Sequence, residues 1–315
     1  MSRKRSIGQI HIRIRTLLTK RRFIGMCGAL FLLVCCLGHR VTAQTQDVTL
    51  VGAADIGGCG PTPARSRATA ALLDSIPGMV FVAGDLAYPN GAETEFIRCY
   101  DATWGRHRSR TTPAAGIHDL IAPNAQGYFN YFGRTAGDPT KGYYSYNYGA
   151  WHVVIINDVC SFATGVNGCT ATSPEGQWLQ SDLAANPTAC TVAIWHQPLY
   201  SSTSSAVTTA MKPFWQILYN AGAELVINGH AHNYERFAPQ DPNGNLDLTK
   251  GLREFVLGTG GESLQAFTAT APNSEIRNSS TYGVLKLTLH ATSYDWQFIP
   301  VAGQTFTDSG SQACH

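Results

Sequence analysis

Short apolar runs that end in Asp or His constrain this chain more than any other feature of it. Val48 to Ala54 runs into Asp55-Ile56-Gly57, and Met79 to Ala83 runs into Gly84-Asp85-Leu86-Ala87-Tyr88. Thr191 to Trp195 leads to His196, and Leu225 to Asn228 leads to Gly229-His230-Ala231-His232. Gly116-Ile117-His118-Asp119 lies between the two pairs. A short apolar run bounded by turn residues reads as a strand buried on both faces. Strands of that kind offer their chemically useful residues at their C-terminal ends, where loops begin. The pattern therefore predicts a sheet edge that collects Asp, Tyr and His.

The segments between these runs read as helices in the front half. Helical spacing covers Pro63 to Ser75, Ala92 to Trp104 and Val207 to Ala221, the last stopped by Gly222. Ser173-Pro174-Glu175 opens another helix, through Ala185, with Ser as N-cap and Pro in the first turn. Tyr143 to Asn157 is rich in aromatic and β-branched residues, the mark of strands. Phe255 to Leu257, Tyr282 to His290 and Tyr294 to Val301 make the back half strand-rich and antiparallel in character. Gly258-Thr259-Gly260-Gly261 reads as a tight turn near the edge that gathers the polar residues. The expectation is one α/β domain with a mixed sheet or two packed sheets.

Residues 1–43 are expected to be a secretory signal, with 44–315 as a single domain. The first 22 residues hold eight Lys and Arg and no acid, an apolar stretch follows from Phe23 to Gly38, and Val41-Thr42-Ala43 offers small residues for cleavage. An uncleaved anchor is the alternative. Nine of the 23 Lys and Arg lie in that segment and none of the 21 Asp and Glu, so the remainder has 14 bases against 21 acids, a net of −7. That balance argues against a nucleic-acid surface. Six of the nine Cys lie beyond residue 43. An even count in an exported chain favours disulfides over a metal site, since no C-x-x-C occurs. Connectivity stays open, although Cys160 and Cys169 flank a short loop and can close it.

Each polar residue at a strand end also has an ordinary structural reading. Asp85 can cap a turn before Pro89, and a lone His196 can be a satisfied half-buried imidazole. Their joint occurrence points elsewhere. Carboxylate, phenolate and imidazole together suit Fe(III), Zn(II) and Mn(II) rather than Ca(II).

These residues resemble the motifs of the calcineurin-like metallophosphoesterases, and within them the purple acid phosphatases. That family reads D-x-G, G-D-x-x-Y, G-N-H-D/E, V-x-x-H and G-H-x-H. The Tyr of the second motif, Tyr88 here, marks the purple branch. The resemblance implies a four-layer αββα sandwich with two mixed sheets. It implies an exported acid phosphatase that hydrolyses small phosphate monoesters by attack of metal-bound hydroxide. Asp55, Tyr88 and His232 would hold Fe(III); Asp85 would bridge; His196 and His230 would hold a second metal, Fe, Zn or Mn. His118 would assist the leaving alkoxide, with Asp119 orienting it. The implied location is secreted, or periplasmic or cell-surface if the N-terminal segment is retained. The implied partners are the small ester alone, with no nucleic acid and no membrane after cleavage.

Two positions depart from the pattern. Ala193 replaces the Val of V-x-x-H, a packing position. Ile117 replaces the Asn that in the family binds the second metal, and a hydrocarbon side chain has no lone pair to give. Three readings follow: a monoesterase with a weakened second site, a phosphodiesterase or nucleotide hydrolase of the same fold, or a pseudoenzyme that keeps metal or phosphate binding.

Overall fold

In the computed structural model, which describes residues 46–59, 64–162 and 165–315, two sheets lie face to face. The expected signal falls outside the described residues. In chain order the elements are β1 (Val48–Ala53), α1 (Ala64–Leu73), β2 (Met79–Ala83), α2 (Glu93–Glu95), β3 (Thr111–Ala114), α3 (Gln126–Phe132), β4 (Tyr144–Tyr148), β5 (Trp151–Ile155) and α4 (Pro174–Ala185). There follow β6 (Cys190–Ile194), α5 (Lys212–Ala221), β7 (Leu225–Asn228), β8 (Tyr234–Phe237), β9 (Arg253–Leu257), β10 (Ser274–Asn278), β11 (Gly283–Leu289), β12 (Ser293–Pro300) and β13 (Ser309–Ala313). The six-stranded sheet has the order β13-β12-β11-β1-β2-β3, and the seven-stranded sheet β10-β8-β9-β7-β6-β5-β4. Both are mixed: β1, β2 and β3 run parallel in one, and β5, β6, β7 and β9 in the other.

Alternation along each strand builds the layers. In β6, Cys190, Val192 and Ile194 point between the sheets, where they meet Leu50, Phe81 and Leu287 of the other sheet. Ala193 and Trp195 point outward, under Leu179 and Leu183 of α4 and Phe214 and Trp215 of α5. Val51 and Ala53 of β1 point to the other outer layer, with Ala70 and Leu73 of α1 and Tyr128 and Phe132 of α3. Strands apolar on both sides thus find a partner on both sides, and the result is a four-layer αββα sandwich.

Helix α4 starts where its cap residues predict. Ser173 Oγ accepts from Gly176 N–H at 3.2 Å, and Pro174 takes the first turn. Helix α5 starts later than the spacing suggests, at Lys212. Pro213 lacks an N–H and its ring would strike the carbonyl four residues back, so residues before it form a separate 3₁₀ turn at Thr209–Met211. The helix expected from Ala92 to Trp104 also divides. After α2 it widens into a π turn, Phe96–Tyr100, closed by Asp101 N–H to Phe96 O at 2.8 Å.

All six cysteines beyond residue 43 pair: Cys59–Cys99, Cys160–Cys169 and Cys190–Cys314. The third closes 124 residues and ties the C-terminal end to the start of β6, whereas the second closes only 9. Loop-closure entropy predicts that replacing Cys190 and Cys314 together by Ala costs about 2–5 kcal/mol, more than removing the 9-residue bridge. Urea midpoints of the two double variants test this; the reverse ranking would contradict it.

Candidate metal centre

Five parallel strands from two sheets end at one place. Asp55 follows β1, Asp85 follows β2, and Gly116-Ile117-His118 follows β3; from the other sheet His196 follows β6 and His230 follows β7. Three of these residues leave their strands with left-handed backbone: Asp55 at φ 57°, Asp85 at 52° and His230 at 67°. Such non-glycine conformations are strained and gather at functional sites. The approach is too close for side chains at two neighbours. A Cβ on Gly84 would lie 2.4 Å from His196 Nδ1, and one on Gly116 would lie 2.2 Å from Asp85 Oδ1.

Donor atoms converge in two groups that share Asp85. In the first, the Tyr88 hydroxyl donates to Asp55 Oδ1 at 2.8 Å and lies 3.0 Å from Asp85 Oδ2. His232 Nε2 is 3.3 Å from the same hydroxyl and 3.2 Å from Asp55 Oδ1. In the second, donor atoms of Asp85, His196 and His230 all lie within 4.8 Å of one another. The imidazoles are oriented from behind. Nδ1–H of His196 donates to Ala83 O at 3.0 Å, and Nδ1–H of His232 donates to Ser263 O at 3.0 Å. Both rings therefore turn Nε2 toward the carboxylates, the arrangement by which a protein fixes a metal-binding tautomer.

The charges fit cations. His196 Nε2 is fully buried, 3.0 Å from Asp85 Oδ2, yet makes no hydrogen bond. Burial pushes the Asp85 carboxyl up, but His196 and His118 together outweigh it and hold the group at about 2. Burial also opposes charge on His232, and Asp55 overrides it, raising the imidazole to about 9. His230 is lowered to about 4 by burial and by the charge of His196. Burial, then the charges of Asp55 and Asp85, drives the Tyr88 phenol far above its ordinary value. The metal-free site thus keeps protons on Tyr88 and His232, which cations would displace. Asp55, Asp85, Tyr88, His196, His230 and His232 thus lie together with a donor chemistry that suits two metals.

His118 stands at the mouth, its side chain 37% exposed. Its Nδ1 is 2.6 Å from Pro89 O, its ring packs 4.3 Å from that of Tyr88, and its Nε2 lies 4.0 Å from Asp85 Oδ2. Asp119 corrects an expectation. It does not orient His118. Its carboxylate accepts from Leu86 N–H at 3.0 Å, Ala87 N–H at 3.1 Å and Gly116 N–H at 2.9 Å. His118 and Asp119 lie on a 3₁₀ turn, His118–Leu120, in which successive side chains diverge by about 120°. Asp85 returns the contact: its Oδ1 accepts from His118 N–H at 2.8 Å. The loops after β2 and β3 thus hold each other. Burial and the charge of Asp85 raise Asp119 to about 7, against the pull of its three backbone donors.

Ile117 is half-buried and belongs to none of the four apolar clusters among the described residues. Gly260 N–H donates to Ala54 O and Glu262 N–H to Asp55 O, both at 2.9 Å, so the glycine turn does back the site. Asp158, past the end of β5, was not anticipated from the sequence; it is buried beside His196 and its Oδ2 accepts from Gln197 N–H.

Sheet order, strand-end donors and the shared carboxylate together make a candidate two-metal centre. The model of the calcineurin-like phosphoesterase family matches residues 48–234, and the chain belongs to that family. Within it the chain falls in the purple acid phosphatase branch. It is 27% identical over 243 residues to purple acid phosphatase 15 of Arabidopsis thaliana, covering 65% of this chain and 44% of that protein. The structure of a purple acid phosphatase from yellow lupin (Lupinus luteus) seeds superposes with TM-score 0.67 at 18% identity, over 86% of this chain and 54% of that one. GAP50, the anchor in the inner membrane complex of Plasmodium, superposes with TM-score 0.62 at 15% identity, over 83% and 88%. The chain spans about half the length of the curated relatives it matches.

Removing the Asp119 carboxylate leaves three buried backbone N–H groups without an acceptor. Asp119→Ala is expected to cost about 3–5 kcal/mol of stability. Urea unfolding of the chelator-treated protein measures it. Unchanged stability with slower turnover would return Asp119 to the role of orienting His118.

Proposed function

We propose that this chain is an exported acid phosphatase that hydrolyses small phosphate monoesters with two metal ions. The observation that carries the reading is the buried Asp85 carboxylate shared between two donor groups, one with a phenol and one with two imidazoles. Asp55, Tyr88 and His232 would hold Fe(III), which favours phenolate and carboxylate; His196 and His230 would hold Fe, Zn or Mn in the divalent state. When bound, such a pair polarises a phosphoryl group, acidifies water and neutralises charge in an in-line displacement. The protein side chains do the rest. His118 has Nδ1 engaged by Pro89 O and a free Nε2 at the mouth, suited to give a proton to a leaving alkoxide. The mutual hold between Asp85 and the loop after β3 keeps that imidazole in register with the donors.

Export is supported by the three disulfides and by the composition of residues 1–43. Among the described residues no helix is long and apolar enough to cross a membrane.

A second reading, a metal- or phosphate-binding protein without turnover, has Ile117 in its favour. A structural neighbour with the same fold is described as an anchor. Rates on p-nitrophenyl phosphate, bis-p-nitrophenyl phosphate and ATP, with iron and Zn(II) or Mn(II) supplied, separate the readings. The monoester should be preferred. Dominant diester or ATP hydrolysis moves the substrate class, and no turnover by metal-loaded protein supports the second reading. The iron-loaded protein should also absorb visible light through Tyr88, because phenolate-to-Fe(III) charge transfer needs a direct ligand. Tyr88→Phe should lose that band while the fold survives; a retained band would contradict the assignment.

A further inference from the structure

The second donor group is short of both a ligand and charge. Its only carboxylate, Asp85, is shared, its two imidazoles are neutral when they coordinate, and Ile117 gives nothing. On the adjoining strand end the chain buries another acid. Asp158 follows β5, which pairs in parallel with β6, the strand that carries His196. It is 3% exposed, and among the described residues no ion pair reaches it. One oxygen accepts from the N–H of Gln197, the residue after His196. The other, Oδ1, is fully buried with no hydrogen-bond partner. Burial pushes the Asp158 carboxyl up to about 6, against the attraction of His196. A buried carboxylate with a bare oxygen and no basic partner is costly unless a cation is nearby.

We propose that Asp158 is a positioning and charge-compensating residue of the second metal, holding the His196-Gln197 turn and supplying from outside the ligand set part of the attraction that Ile117 forfeits. The proposal rests on the two-metal reading above. It concerns this chain's own remedy for its altered motif, with Asp158 acting through His196 rather than as a ligand, since its oxygens fall outside the cluster of Asp85, His196 and His230.

Asp158→Asn tests it. The amide oxygen keeps the acceptor for Gln197 N–H, an amide NH2 takes the place of the bare Oδ1, and the charge is lost. Metal content after dialysis against graded chelator, with the thermal midpoint of the chelator-treated protein, gives two independent readouts. The expected result is a second-metal affinity weakened roughly 10-fold or more, with iron content and the Tyr88 band unchanged. The thermal midpoint of the chelator-treated variant should hold, because a buried neutral amide replaces a buried unpaired charge. A merely structural Asp158 gives the opposite pattern, a lower midpoint with unchanged metal affinity, and that pattern overturns the proposal. Wild-type protein that binds fewer than two metals sinks the two-metal reading and this proposal with it. Two tightly held metals in both proteins sink this proposal alone.

Discussion

Asp85 is a carboxylate almost without solvent, placed where the edges of two sheets meet. Burying that charge is unfavourable unless hydrogen bonds and opposite charge surround it. The fold meets the demand from three directions. The loop after β3 offers His118 N–H, the loop after β2 turns the Tyr88 hydroxyl back, and β6 brings His196 from the opposite sheet. Asp119 fixes the backbone just after Asp85, at Leu86 and Ala87, and just before Ile117, at Gly116. The left-handed backbone at Asp55, Asp85 and His230 is the strain this convergence entails, and the αββα core around it is large enough to hold it.

The strands that build the site were legible because they are buried on both faces. Such strands cannot alternate with polar residues, so β1, β2, β6 and β7 stand out as apolar runs with a donor at the end. Two strands whose residues are small or polar left no such signal. β3 reads Thr-Thr-Pro-Ala and carries Gly116 to His118 into place without an apolar run of its own. β13, Ser-Gly-Ser-Gln-Ala, pairs only with β12 at the edge of its sheet. Both are held by neighbours rather than by their own composition.

Side-chain chemistry at the site was legible for the same reason that backbone chemistry was not. An Asp or His after a buried strand names its own capacity. The carbonyls of Ala83, Pro89 and Ser263, which orient three of the imidazoles, belong to residues of any type and are found only in three dimensions. Asp119 shows the limit of adjacency in sequence: it follows His118 yet serves the loop after β2. Asp158 lies past the end of β5, a strand the sequence showed without singling out its end. Its importance arises from lying beside His196, with Ile117 among the residues that reach the site from the other sheet.

The central claim is that Asp85 is shared by two cations. Crystals of the protein loaded with iron and Zn(II), measured at wavelengths that separate the two elements by anomalous scattering, test it most directly. The account predicts two peaks about 3.5–4 Å apart on either side of the Asp85 carboxylate. Iron should lie toward Asp55, Tyr88 and His232, and zinc toward His196 and His230. A single peak, or two peaks that do not share Asp85, would contradict it.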